Sequence, residues 1–303
     1  MNWKAALFGL FASLSLAGCA TAPSAQLQSA PAVSAQTGPA LWELSDADTK
    51  IYLFGTIHML PKGQQWRTPA LERAIAESGE LVTEVVIGDN PAGAAQAMMK
   101  LGTSPGLPPL IERVPEAKRP ALARAMAASR IPAGALDRLE TWVAAITLTA
   151  GSFQSLGFEA GLGVEEGLNA DYKAKGRPIS GLETVEEQFG FFDQLSEKAQ
   201  RELLESALED PAKVREQLAA MLRTWSSGDE AGMARTFDTE LKKMPELREI
   251  LLVRRNQRWA QWLKERLDRP GTILVAVGAG HLAGDESVQA MLRKRGLKVR
   301  RVQ

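Results

Sequence analysis

The chain has 303 residues, of which 45% are hydrophobic, with 36 lysines and arginines balanced by 36 aspartates and glutamates. That zero net charge gives no support to nucleic-acid binding or to purely electrostatic membrane binding. A single cysteine, Cys19, rules out an internal disulfide, and only two histidines, His58 and His281, are available for acid–base or metal chemistry.

The chain opens with Lys4, an apolar run from Ala5 to Leu16 and then Leu16-Ala17-Gly18-Cys19. This is the three-part pattern of a secretory signal, with a run too short to cross a bilayer of about 30 Å. Leu-Ala-Gly-Cys matches a bacterial lipobox, so residues 1–18 are expected to be removed and Cys19 to carry acyl groups, palmitate among them. Ala20 rather than an aspartate follows, a pattern that resembles lipoproteins sorted to the outer membrane and facing the periplasm. Residues 19–39 are small, polar and spotted with proline, so they read as the lipidated cysteine and a flexible tether.

Residues 40–303 remain for one α/β domain, near the upper size for one core. Ile51 to Phe54 predicts a buried strand, Pro69 to Ser78 a helix with proline in its first turn, and Leu81 to Ile87 a second strand interrupted by Glu84. Strand, helix and strand in that order imply a parallel sheet. The middle is helical: Pro115 to Arg130, a long amphipathic segment from Leu136 to Leu156, Val164 to Lys175, and Val185 to about Lys264 with breaks near Pro211, Gly228 and Pro245. The end returns to strand (Thr272 to Val277), helix (Glu286 to Lys294) and strand (Leu297 to Val302). The expected fold is therefore a mixed, mostly parallel sheet built from both terminal halves, with a large helical segment that could sit over it as a cap.

Two segments echo each other. Gly55-Thr56-Ile57-His58 and Gly278-Ala279-Gly280-His281 each follow an apolar strand, where open α/β sheets place their sites. Glu84 interrupts an apolar strand, and an unpaired buried carboxylate would cost several kcal/mol, of order. Two imidazoles and a carboxylate suit a divalent ion with an open position for water. The tryptophans Trp142, Trp225, Trp259 and Trp262 lie on helical stretches and read as packing residues, and the basic run from Arg293 to Arg301 as the outer face of an edge strand. No Walker loop, dinucleotide fingerprint or Gly-x-Ser-x-Gly elbow is present.

Leu53 to His58, Glu84, Gly181-Leu182-Glu183-Thr184 with Gln188, Arg255-Asn256 and Val277 to Leu282 together resemble the TraB/GumN family across the whole mature domain. That family resembles the Tiki proteins, membrane-tethered metal-dependent proteases. It is more distantly similar to erythromycin-esterase-like and haem-binding ChaN-like proteins. The resemblance implies a divalent metal (Mn, Co or Zn) on His58, His281 and Glu84, and a metal-dependent hydrolase, a peptidase by its relatives, acting on peptide or protein. Arg255 matches the family arginine and would neutralise an oxyanion or orient a carboxylate. Glu84 or Glu165 would be general base, Glu165 standing in Gly163-Val164-Glu165 where many relatives have Gly-x-Asp. Glu183 is open to a capping or a catalytic role. The alternative is a haem- or metal-binding envelope lipoprotein without catalysis, and the membrane enters only through the lipid anchor.

Overall fold

A computed structural model describes residues 38–86 and 91–303. The leader, Cys19 and most of the tether lie outside the described residues. Strands β1 (Leu41–Ser45), β2 (Thr49–Thr56), β4 (Glu80–Val85), β6 (Ile179–Glu183), β7 (Gly271–Gly278) and β8 (Val299–Arg301) form one sheet in the order β6-β4-β7-β2-β1-β8. β3 (Leu60–Pro61) and β5 (Phe158–Glu159) make a separate two-stranded ribbon. Within the large sheet the pairs β2–β7, β4–β7 and β4–β6 are parallel, and β1 pairs antiparallel with both β2 and β8. The expected mixed, mostly parallel sheet is what forms, and the last third of the chain inserts β7 between β2 and β4 of the first third.

β2 and β7 are apolar on both faces because both faces are covered, which explains their nearly continuous hydrophobic runs. Tyr52, Phe54, Leu274 and Ala276 enter one core, and Ile51, Leu53, Ile273, Val275 and Val277 the other. The period of two along each strand thus divides the sheet into two cores. Helices α1 (Pro69–Glu77), α6 (Val164–Ala174), α9 (Pro211–Ser226) and α10 (Glu230–Leu241) contribute to the first. Helices α12 (Arg254–Arg266) and α13 (Val288–Lys294) contribute to the second. The helical middle holds a third core, into which α2 (Pro91–Leu101), α3 (Arg119–Ser129), α5 (Thr141–Ser155), α7 (Val185–Asp193) and α8 (Glu197–Ser206) send side chains.

The segment read as one helix from Leu136 to Leu156 divides into a short turn α4 (Ala133–Leu136) and α5. Buried Arg113 explains the break. Its guanidinium donates to the carbonyls of Pro108, Asp137 and Leu139, and Asp137 Oδ1 accepts the Leu110 amide at 2.7 Å. These side-chain bonds satisfy backbone groups that a continuous helix would otherwise pair. A short helix α11 (Pro245–Arg248) and one π turn (Glu249–Val253) lead directly into α12.

Candidate active site

The sheet order explains why distant residues meet. β2 and β7 run side by side in register from Thr49↔Gly271 to Thr56↔Gly278, so the two Gly-x-x-His loops leave adjacent carboxyl ends. Glu84 stands near the end of β4 on the other flank of β7, and Glu183 ends β6 beyond it. From the second core, α12 presents Arg255 and Trp259 four residues apart, on one helical face, with Asn256 beside them. Each of these polar side chains is at least nine-tenths buried.

Arg255 is fully enclosed and all five of its N–H groups have protein acceptors. Nε donates to Glu183 at 2.9 and 3.1 Å, and Nη2 to Glu84 Oε2 at 2.6 Å and Glu183 Oε2 at 2.7 Å. Nη1 donates to the Leu251 carbonyl, inside the π turn, at 3.2 Å and meets His281 Nε2 at 3.1 Å. A π turn beside a functional cluster is a recurrent association. The two carboxylates hold the guanidinium firmly in its charged form, overcoming burial, and its face stacks over Trp259 at 4.7 Å. Glu183 also accepts from Arg258 Nη2 at 2.9 Å and Trp259 Nε1 at 3.0 Å. Glu84 Oε1 accepts the Gly278 amide at 2.7 Å, and Gln188 of α7 donates to Oε2 at 3.3 Å. Burial drives the Glu84 carboxyl above the ordinary carboxylate value despite Arg255.

His281 is fixed on both nitrogens. Asn256 Nδ2 donates to the Glu286 carbonyl at 2.7 Å, which leaves Oδ1 to accept from His281 Nδ1 at 2.6 Å. The proton therefore sits on Nδ1, an assignment made from this network, and the Nε2 lone pair accepts from Arg255. Trp259 packs against the ring, centroids 4.3 Å apart. Burial, then the Arg255 and His58 charges, hold this imidazole well below its ordinary value, so it is neutral. Gly280 has a packing reason as well: a Cβ there would lie 2.8 Å from the Phe237 ring.

His58 is built differently. Its Nδ1 lies 2.5 Å from Glu165 Oε1, both groups sealed from solvent. The pair is a close charge contact rather than an aligned hydrogen bond, since neither group meets a partner along its bonding direction. Burial would lower the His58 imidazole, but the Glu165 carboxylate outweighs it, with help from Glu84, and raises it. Reciprocally, burial would push Glu165 up, yet His58 brings its carboxyl below the ordinary value. Among the described residues Nε2 of His58 has no hydrogen-bond partner, and the 4% of the residue that solvent reaches is not at Nδ1. Gly163 makes the contact possible. A Cβ there would sit 2.1 Å from the His58 carbonyl oxygen, while the Val164 amide donates to the Ile57 carbonyl at 3.1 Å. Glu165 then falls in the first turn of α6, where the helix field favours a carboxylate.

The structure thus brings His58, Glu84, Glu165, Glu183, Arg255 and His281 to one end of the sheet, in roles the sequence left open. Glu165 belongs to His58, and Glu183 belongs to Arg255; the cap of α7 is Thr184 with Glu187. Arg255 orients carboxylates and has no free donor for an oxyanion. Two groups were read as packing alone: Trp259, which donates to Glu183 and stacks on His281, and Trp225, whose Nε1 donates to the Gly55 carbonyl at 2.8 Å. In the sequence Asn256 stands out only as the neighbour of Arg255. Its position one residue after Arg255 was the available signal.

The expected metal ligands, His58, His281 and Glu84, do not form a ready coordination set. Among the described residues no three His, Cys, Asp or Glu side chains converge as ligands. The Arg255 guanidinium takes the His281 Nε2 lone pair and one Glu84 oxygen, and a backbone amide takes the other. Beyond Val86, two residues past Glu84, a cleft of about 660 Å³ opens between α2 and α7, lined by Val86, Ala94, Ala97, Leu101 and Val185 with Lys100 and Glu186.

The TraB/PrgY/gumN family model matches residues 40–301. The uncharacterised protein YbaP of Escherichia coli strain K12 is 25% identical over 261 residues, 85% of this chain and 93% of that protein. YbaP of Shigella flexneri matches to the same extent. An uncharacterised protein of Treponema pallidum is 27% identical over 176 residues, 54% of this chain and 52% of its own length. No solved structure matches.

Proposed function

For a chain that belongs to the TraB/PrgY/gumN family, we propose hydrolysis of peptide or protein amide bonds, with His58 as the group that moves the proton. The observation that carries this reading is the Glu165 carboxylate 2.5 Å from His58 Nδ1 while Nε2 is left without a protein partner. A carboxylate behind an imidazole strengthens it as a base and stabilises the imidazolium that forms. His58 Nε2 takes a proton from water as the oxygen adds to the substrate carbonyl. The same proton then passes to the amine nitrogen as the C–N bond breaks. Glu84 and His281, locked by Arg255, shape the wall of the site. The apolar cleft beside α7 has the volume of a small-ligand or peptide subsite.

A purified sample should be screened against a peptide library with chelator and, separately, with Mn²⁺, Co²⁺ or Zn²⁺. Chelator-resistant cleavage that His58→Ala abolishes supports the reading, and cleavage that survives the substitution sinks it. Cleavage that appears only with added ion would restore the metal-dependent form drawn from the family resemblance. The non-catalytic alternative would use the same open Nε2 as an axial ligand to haem. A Soret shift lost in His58→Ala, with no cleavage, would replace the hydrolase reading.

The Leu16-Ala17-Gly18-Cys19 motif supports a lipid anchor, acting from the outer membrane toward the periplasm. Labelled palmitate should enter the intact chain and not Cys19→Ala, and the variant should fractionate away from membranes.

A further inference from the structure

Arg255 stands in a setting that ordinarily asks for a metal ion. Two carboxylates, Glu84 and Glu183, and the unprotonated Nε2 of His281 all bond the one guanidinium, the carboxylates through Nη2 and the imidazole through Nη1, without converging on a single point while it is there. Oxygen and imidazole donors of this kind suit Mn²⁺, Co²⁺ or Zn²⁺. Asn256 holds His281 in the Nδ1–H form by the kind of outer bond that prepares a histidine for a metal. Yet the cluster is already closed. Glu84 faces Arg255, Glu183 faces Arg255 and Arg258, and Glu165 faces His58, so each carboxylate has a nitrogen cation or imidazole against it. A divalent ion added to that count would leave buried positive charge without a counterpart, a costly state.

We propose that Arg255 is the resident cation of this pocket: its guanidinium fills the position between Glu84, Glu183 and His281, and removing it creates a divalent-metal site there. The inference deepens the reading of the same cluster as a catalytic site that runs without a metal on these residues. Its test reads ion binding rather than cleavage, so the two stand or fall separately. Planarity matters here. A guanidinium reaches three acceptors at fixed angles and the Leu251 carbonyl besides, whereas lysine supplies a point charge.

Full-chain wild type and Arg255→Ala, both stripped with chelator, should be titrated with MnCl₂ by calorimetry. The expected result is one equivalent bound by Arg255→Ala, at least about tenfold tighter than wild type. The gain should vanish in Arg255→Ala/His281→Ala. Added Mn²⁺ should raise the melting temperature of Arg255→Ala and leave wild type unchanged, since an ion that binds only the folded state stabilises it. A folded Arg255→Ala that takes up no ion overturns the proposal. So does a wild type that binds one equivalent and loses it in His281→Ala. Should Arg255→Ala fail to fold, the wild-type chain decides: paramagnetic Mn²⁺ should leave the His281 ring resonances sharp, and broadening of that ring alone overturns the proposal.

Discussion

The two Gly-x-x-His loops share a motif, a strand context and a position at one end of the sheet, but their histidines are chemically opposite. His281 is neutral, bonded at both nitrogens and covered by Trp259, whereas His58 has a carboxylate at Nδ1 and an unpartnered Nε2. The difference arises from what is packed around each ring. His281 faces α12, which supplies an arginine and an amide, and His58 faces the start of α6, which supplies a carboxylate. An echo in sequence therefore reports a repeated backbone solution, and the neighbours decide the chemistry. Environments that push paired groups apart in pKa commonly mark a division of labour.

That division can be broken at several points. His58→Ala should reduce hydrolysis by about 10²- to 10⁴-fold, the usual span for a lost acid–base group, and steady-state rates on the best peptide measure it. Arg255→Met should be the most destabilising change in the cluster, by about 3–5 kcal/mol, because it strands two buried carboxylates. Urea unfolding would show it, and a loss below about 1 kcal/mol would mean that the network is not closed as described. Asn256→Ala leaves His281 Nδ1 and the Glu286 carbonyl without their partner, with an expected cost of about 1–3 kcal/mol. Its ring ¹⁵N shifts should report a mixture of tautomers where wild type shows one.

The pH profile sharpens the comparison most finely. The proposed catalysis needs the unprotonated His58, whose pKa lies above the ordinary 6.5, so activity should be lost as pH falls through that raised value. Glu165→Gln removes the charge that raises it, so the acid limb should move to lower pH while the plateau drops. A limb that stays in place would show that Glu165 does not govern this histidine. Because His281 is held neutral, its substitution should leave the position of that limb nearly unchanged.

Much of this was legible in the chain. The nearly continuous apolar runs of β2 and β7 announced central strands, and the glycine-spaced histidines announced their carboxyl ends. Glu84 was conspicuous because a carboxylate in an apolar strand needs a partner. The partner itself was not legible. Arg255 sits in a basic stretch with Arg254 and Arg258, and only the packing of α12 against the sheet separates the buried arginine from the two more exposed ones. Glu165 was ambiguous for a related reason: its role depends on Gly163 letting α6 approach the His58 carbonyl, a contact between segments far apart in sequence. Strand β1 went unrecognised because Leu41 to Ser45 offers only five residues and takes its pairing from β2 and β8.

The placement of β7 has a consequence for how the protein comes to life. The Gly278 amide and the Glu84 carboxylate it holds are 194 residues apart, and the Thr49 hydroxyl and the Leu267 carbonyl 218. Contacts of such span form late and slowly, after the long intervening helices have made their local bonds. Because β7 stands between β2 and β4 and pairs with both, those two strands cannot take their places in the finished sheet until nearly the whole polypeptide has emerged. A chain cut short before β7 therefore lacks not only His281 but the Gly278 amide on which Glu84 rests, and the cluster cannot assemble until β7 is threaded into place.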